Sequence, residues 1–440
     1  MGSFTFKGGV HPFEGKELSA EKPVESLKPG KELVYLLSQH IGAPAKPIVA
    51  KGDHVLAGQK IAEAGGFVSA PVHASVSGTV TKIEKRKNAT GGYVDAIIVE
   101  NDEKYESVAF EPADPDALSR DEILGRIREA GVVGMGGAGF PTAVKLAPKD
   151  PSIVDHILVN GSECEPYLTS DYRCMLDFPD KITGGLEIIL KLFGPDCKGV
   201  ICIEDNKPKA IEVMRKAVSG RSNMSVAVMK TKYPEGAERC LIHAITGRSV
   251  NSRMLPADAG CVVDNIDTVI AVNDAVREGR PVMDRVFTVS GDAPVNPRNF
   301  RVPVGMSYAE IVEAEGGFKQ TPEKVISGGP MMGFALSDLN VPVTKTSGAI
   351  TAFLKDEVSR AVPSACINCG RCVKGCPARL LPCKLASFAE HNNAAAFEEY
   401  YGLECVNCGS CSYSCPAKRP LAAQINKMRQ IVLANKRKKK

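Results

Sequence analysis

The sequence predicts a multidomain chain of mixed α/β and α+β class, and three observations point to it. Its 440 residues exceed what one ordinary core organises, since domains usually run to about 50–250 residues. The texture changes along the chain: glycine-punctuated apolar stretches between 47 and 80, a glycine-rich loop at 134–139 between helical and strand patterns, and a doubled cysteine run between 366 and 416. Hydrophobic residues at 44% and charged residues at 24% fit packed globular units.

Taken in order, positions 1–40 form an N-terminal segment with Gly8-Gly9-Val10-His11-Pro12 and a predicted helix over 33–40. Positions 41–110 read as a compact sandwich, because short strands and glycine turns alternate over 47–61 and 70–80. An acidic, proline-containing linker, Glu111-Pro112-Ala113-Asp114-Pro115, opens a unit spanning 111–280. Asp121 starts a helix there, with Ile123, Leu124 and Ile127 at helical spacing. The helix runs into Gly134-Met135-Gly136-Gly137-Ala138-Gly139-Phe140-Pro141-Thr142, followed by Lys145. Such glycines let backbone N–H groups approach a phosphate or a flat ring, and a helix starting next adds a favourable dipole. A ligand-free tight turn is the plainer reading of the loop alone, since a helix and not a strand precedes it.

The strand Ile157-Leu158-Val159 ends in Asn160-Gly161-Ser162-Glu163-Cys164-Glu165-Pro166. Two carboxylates at a strand end suit a binding site, although both would also serve as turn caps. Positions 281–345 carry a strand at 286–291, a helix at 308–315 and the glycine-rich Ser327-Gly328-Gly329-Pro330-Met331-Met332-Gly333.

Positions 346–425 hold the most specific signal. Cys366, Cys369, Cys372 and Cys376-Pro377, then Cys405, Cys408, Cys411 and Cys415-Pro416, each read C-x-x-C-x-x-C-x-x-x-C-P. This is the bacterial ferredoxin run that ligates cubane clusters, so two 4Fe-4S clusters and a helical two-cluster ferredoxin-like domain are expected. Structural zinc is the rival, but four ligands explain neither the third evenly spaced cysteine nor the Cys-Pro. By the crossed rule of that pattern, Cys366, Cys369, Cys372 and Cys415 hold one cluster and Cys405, Cys408, Cys411 and Cys376 the other. The remaining seven of the 15 cysteines are scattered and read mostly as small buried hydrophobes.

Positions 426–440 end in Lys436-Arg437-Lys438-Lys439-Lys440, a basic tail that is either solvated or laid against anionic lipid or an acidic partner. No apolar run nears the roughly 20 residues of a membrane-spanning helix, and no signal-peptide pattern is seen, so a cytoplasmic chain is expected. A net charge of +4, no Trp and no basic stripe with interleaved aromatics argue against a nucleic-acid partner.

Family likenesses sharpen this. The halves of 41–110 resemble a biotinyl or lipoyl carrier domain, but Gly65-Gly66-Phe67-Val68-Ser69 offers no lysine to modify, which implies an unmodified barrel-sandwich-hybrid domain. The glycine loop, the Asn160–Pro166 block with Asp171, and Asp264-Asn265-Ile266-Asp267-Thr268 resemble the flavin site of the NADH-oxidising subunit of complex I. That resemblance implies non-covalent FMN held by Gly134, Gly136, Gly137, Gly139, Lys145, Asn160, Ser162 and Asn265, with Phe140, Glu163 and Glu165 on the nicotinamide side. Met135 and Ser162 depart from it, standing where that family has arginine and aspartate, and Tyr233-Pro234-Glu235-Gly236-Ala237-Glu238 matches its G-E-E block only partly. Positions 281–345 look like its soluble-ligand-binding β-grasp domain. Ser347-Gly348-Ala349-Ile350-Thr351 misses the covalent-flavin signature by one inserted Ile350.

The whole order is similar to the RnfC family, the peripheral subunit of Rnf-type ion-translocating ferredoxin:NAD oxidoreductases. This implies hydride exchange between NAD(H) and FMN without a side-chain acid or base. It further implies single-electron relay to membrane partner subunits, including a ferredoxin-interacting iron-sulfur subunit, and a peripheral position on the cytoplasmic face. A soluble flavin and iron-sulfur cobalamin reductase and a non-catalytic iron-sulfur scaffold are the alternatives; residues 1–110 disfavour the first.

Overall fold

In the computed structural model, which describes residues 3–438, the strands Glu32–Leu36, Tyr93–Asn101, Gly78–Lys87 and His54–Val55 form a four-stranded antiparallel sheet in that order. It shares one core with a smaller sheet of Lys46–Pro47, Lys60–Glu63 and Val72–His73, through Leu33, Tyr35, Val55, Ile61, Val72, Val80, Ile97 and Val99. The helix predicted over 33–40 is therefore corrected to a strand. Leu33 and Tyr35 enter the shared core, while Leu36 packs with Ala96 and Ile98 in a second cluster. Apolar residues on both faces erase the alternation that distinguishes a strand from a buried helix.

The next unit is a parallel sheet in the order Met224–Met229, Lys198–Glu204, His156–Gly161, Cys261–Asn265. Its strands read as near-continuous apolar runs because helices cover them. Ser119 and Glu122 form a capping box that starts the helix Arg120–Glu129, burying Ile123, Leu124 and Ile127 as their spacing predicted. The helix Pro179–Lys191 packs against Ile266–Asn273, and Gly185 permits it: a Cβ there would lie 2.0 Å from the Val269 carbonyl oxygen.

A six-stranded sheet follows, ordered Glu25–Ser26, Arg298–Pro303, Asp284–Gly291, Ala349–Phe353, Lys324–Ser327, Phe334–Ala335. The predicted helix is present as Tyr308–Glu315, started by a Ser307–Glu310 capping box. Two of the expected boundaries move. Glu32–Leu36 belongs to the sandwich sheet rather than to a separate segment ending at 40, and Ala349–Phe353 lies inside the six-stranded sheet rather than beyond its end at 345.

Beyond it the chain is helical. The doubled cysteine run folds into doubled backbone: Asn368 and Asn407 both take positive φ, and Gly370 (φ 73°) and Gly409 (φ 78°) both precede one-turn helices, Arg371–Lys374 and Ser410–Tyr413. The tail expected over 426–440 is, through Lys438, the end of the helix Leu421–Lys438. Ile425, Met428 and Val432 are buried at helical spacing, and Lys436 reaches Glu398 at 2.5 Å. Lys439 and Lys440 lie outside the described residues. Among the described residues no helix is long and apolar enough to cross a membrane.

Lys345 locks three units together. Fully buried, it donates to the carbonyl oxygens of Pro71 at 2.6 Å and Gly131 at 2.7 Å, and burial pulls its pKa down to about 7. An unfolded lysine titrates near about 10.4, so between pH 7 and 10 the unfolded chain binds more protons and stability rises with pH. The stability advantage of the wild-type chain over Lys345→Met should accordingly widen from pH 7 to pH 10 in paired thermal melts.

Candidate functional site

The glycine loop sits at the carboxyl ends of the parallel strands, where open α/β sheets usually bind ligands. Gly134 N–H donates to the Phe140 carbonyl at 2.8 Å and closes the loop, and Met135 N–H donates to Thr268 Oγ1 at 2.9 Å. Gly139 has φ 70°, and a Cβ there would lie 2.8 Å from Thr346 Cγ2 and 3.0 Å from His40 Cα. Gly136, Gly137 and Ala138 stay exposed, and a Cβ on Gly137 would meet nothing within 4 Å. The helix that follows is a single turn, Thr142–Lys145, so the dipole expected from it is small.

Lys145 Nζ donates to the Val263 carbonyl and to Asp264 Oδ1, both at 2.8 Å. The Asp264 side chain is fully buried and its Oδ2 has no partner, which leaves an unused acceptor beside the lysine. Asn265 pairs in register with Asn160 on the adjacent strand. Its Nδ2 donates to Asp171 Oδ2 at 2.8 Å, and Asp171 is driven well upward by burial, then by Glu163 and Asp267. The glycine loop, Lys145, Asn160 and Asn265 thus lie side by side at the carboxyl ends of the strands His156–Gly161 and Cys261–Asn265.

The acidic block is arranged differently. Ser162 is fully buried and its hydroxyl donates to the Cys202 carbonyl at 3.4 Å, so its side chain faces protein. Glu163 accepts from Asp171 N–H at 2.8 Å, Tyr172 N–H at 3.3 Å and Ser170 Oγ at 3.4 Å, capping the helix Ser170–Asp177. Glu165 Oε1 accepts from Met331 N–H at 2.7 Å and Met332 N–H at 3.1 Å. Both carboxylates hold backbone amides, as the turn-cap alternative describes. Charged-group hydrogen bonds are worth about 1.5–3 kcal/mol, so Glu163→Ala should lower unfolding free energy by about that amount in denaturant titrations.

Cys376, Cys405, Cys408 and Cys411 line one cavity with Leu380, Leu385 and Ile425, and no carboxylate intrudes. Burial pushes the thiol pKa of Cys405 up to about 11 and that of Cys411 up to about 12. In the other set Cys366 and Cys369 are exposed, Cys415 is half-buried and Cys372 is buried, with the half-buried Cys383 beside it.

Comparison with known proteins places this geometry. Residues 4–104 match the RnfC barrel sandwich hybrid domain, 127–274 the Nuo51 FMN-binding domain and 286–335 the SLBB domain. A component of the proton-translocating ferredoxin:NAD(+) oxidoreductase complex of Clostridium ljungdahlii is 48% identical over 91% of this chain and 87% of its own length. Its counterpart from the Na(+)-translocating ferredoxin:NAD(+) oxidoreductase complex of Acetobacterium woodii is 43% identical over 99% of this chain and 98% of its own. The chain belongs to the RnfC family. An NAD+-reducing NiFe hydrogenase in its air-oxidised state shares the fold at TM-score 0.52 and 18% identity, over 75% of this chain and 72% of that one.

What the sequence left undecided in this RnfC-family chain is the 233–238 segment. It packs directly on the strand end: Asn160 Nδ2 donates to the Gly236 carbonyl at 2.8 Å, and Gly236 N–H points to Cys164 Sγ at 3.3 Å. Glu238, raised by burial, lies near Lys145 and Asp264. The partial G-E-E likeness was the one available signal for this contact.

Proposed function

We propose that this chain exchanges hydride between NAD(H) and a non-covalent FMN and relays single electrons through two 4Fe-4S clusters to or from membrane partners of an Rnf-type complex, on the cytoplasmic face. The observation that carries the reading is the cavity lined by Cys376, Cys405, Cys408 and Cys411, the crossed set of the ferredoxin pattern. Its apolar walls suit a cubane shielded from water, and the exposed Cys366 and Cys369 suit an outer cluster that meets a partner. A ferredoxin-like duplication of the C-terminal unit agrees with the matching backbones at Asn368–Gly370 and Asn407–Gly409.

The residues present fit FMN as well. Open backbone at Gly137 allows close approach of a phosphate or ring, the absence of a side chain at Gly136 leaves Asn265 in place beside it, Lys145 supplies a cation, and Asp264 Oδ2 supplies an unused acceptor. When bound, the flavin supplies conversion between two-electron hydride and one-electron cluster chemistry. The chain's own part is to hold, orient and exclude water, with no side chain needed as general acid or base.

Anaerobic purification tests this. The expected sample is yellow-brown, releases FMN on denaturation, bleaches with NADH and carries iron for two cubanes with reduced-cluster paramagnetic resonance. Zinc in the cysteine sites, or colour without NADH response, would overturn it, the latter in favour of the scaffold.

A further inference from the structure

The N-terminal segment threads between the parallel-sheet unit and the thiol cavity. Phe4 bridges Met229 at the sheet edge, where Lys230 N–H donates to the Phe4 carbonyl at 2.8 Å. Val10 N–H then donates to the Tyr233 carbonyl at 2.8 Å and Tyr233 N–H to the Val10 carbonyl at 2.9 Å. On the other side Gly9 N–H donates to the Gly375 carbonyl at 3.0 Å, and Tyr413 Oη donates to the His11 carbonyl at 3.3 Å. Lys232 Nζ donates to the carbonyls of Phe6 and, at 3.3 Å, Gly8.

The approach is so close that no side chain fits. Gly8 has φ 93° and Gly9 φ 85°. A Cβ on Gly8 would lie 2.7 Å from the carbonyl oxygen of Cys376, a member of the inner thiol set, and one on Gly9 would lie 2.9 Å from the Tyr233 oxygen. Three residues beyond the nearly fully buried Tyr233 comes Gly236, already in contact with Asn160 and Cys164 at the strand end. Backbone segments in direct hydrogen-bonded contact therefore run from the flavin crevice through residues 233–236 and 8–10 to the loop of Cys376.

We propose that residues 8–10 are a positioning strap that sets the separation between the flavin crevice and the cluster held by Cys376, and with it the rate of electron passage. This rests on the flavin and cluster reading above. Each electron leaving the flavin would be gained by that cluster, the two electrons of one hydride would be accommodated one per cluster, and the accompanying proton would return to solvent. Tunnelling falls steeply with distance, so a strap displaced by one side chain slows this step while hydride exchange continues.

The test compares the full-length wild-type protein, loaded anaerobically, with Gly8→Ala and Tyr413→Phe, the second removing only the hydroxyl that holds His11. In Gly8→Ala, flavin bleaching by NADH should stay within about twofold, while cluster reduction slows at least about tenfold, or about 1.4 kcal/mol. One of the two cluster resonance signals should shift and the other persist, and amide exchange over residues 3–12 should accelerate. Tyr413→Phe should show the same pattern more weakly, and it decides the matter if Gly8→Ala fails to fold. Wild-type cluster reduction and signals in the variants would overturn the strap. So would a parallel loss of flavin bleaching, which would make the segment merely part of the parallel-sheet unit. A wild-type sample lacking NADH-reducible flavin or cubanes would instead sink the functional reading, and the strap role with it.

Discussion

Cys408→Ala is expected to stop electrons at the flavin: bleaching by NADH persists, and cluster reduction falls by at least about 100-fold, equal to about 2.7 kcal/mol of barrier. Cys408 shares the inner cavity with Cys376, Cys405 and Cys411, and Tyr233 and Cys240 lie near it. Gly409 beside it approaches the six-stranded-sheet unit, since a Cβ there would lie 3.1 Å from the carbonyl of Met331, whose N–H is held by Glu165. Cys369→Ala should behave differently, because Cys369 is exposed in the outer set. Flavin and inner cluster should still be reduced, and only transfer to a membrane partner or artificial acceptor should fail. Stopped-flow absorbance with freeze-quenched paramagnetic resonance separates the two. Equal loss of inner-cluster reduction in both variants would contradict the order inner then outer.

Gly137→Asp is expected to empty the flavin crevice without unfolding the protein. Its backbone faces open space, so a side chain is accommodated sterically, and Gly137→Ala should bind FMN nearly as the wild type does. A carboxylate about 4 Å from a phosphate charge is repelled by about 1–4 kcal/mol between bulk-water and surface dielectric limits. FMN affinity should thus weaken by roughly fivefold to about 700-fold, at about 1.4 kcal/mol per decade. Fluorescence titration of the flavin-stripped chain reads this, with a thermal melt as the folding control. Unchanged affinity in Gly137→Asp would remove the loop from the phosphate site.

The doubled cysteine run and the glycine loop were the most legible parts of the chain as structure. Repeated cysteine spacing over 366–376 and 405–415 goes with repeated backbone, and Gly139 takes a positive φ where a Cβ would not fit, so both survive as patterns in one dimension. The capped helices Arg120–Glu129 and Tyr308–Glu315 were legible for a similar local reason. Glu32–Leu36 was not, because both of its faces are covered and the alternation disappears. The engagement of Glu163 and Glu165 with amides was open because a carboxylate at a strand end looks the same whether it caps a turn or meets a ligand. Contacts such as Gly8 with Cys376 join residues hundreds of positions apart, and no local pattern encodes them.

That last separation bears on how the protein is made. Residues 4–10 are synthesised several hundred residues before Gly375 and Cys376, a delay of about 20–70 s at about 5–20 residues per second. Phe4 can pair with Met229 midway, but Gly9 has no acceptor until Gly375 has been made. Closure of the N-terminal segment over the Cys376 cavity is therefore a late event, and until then the chain's early residues wait without their partners.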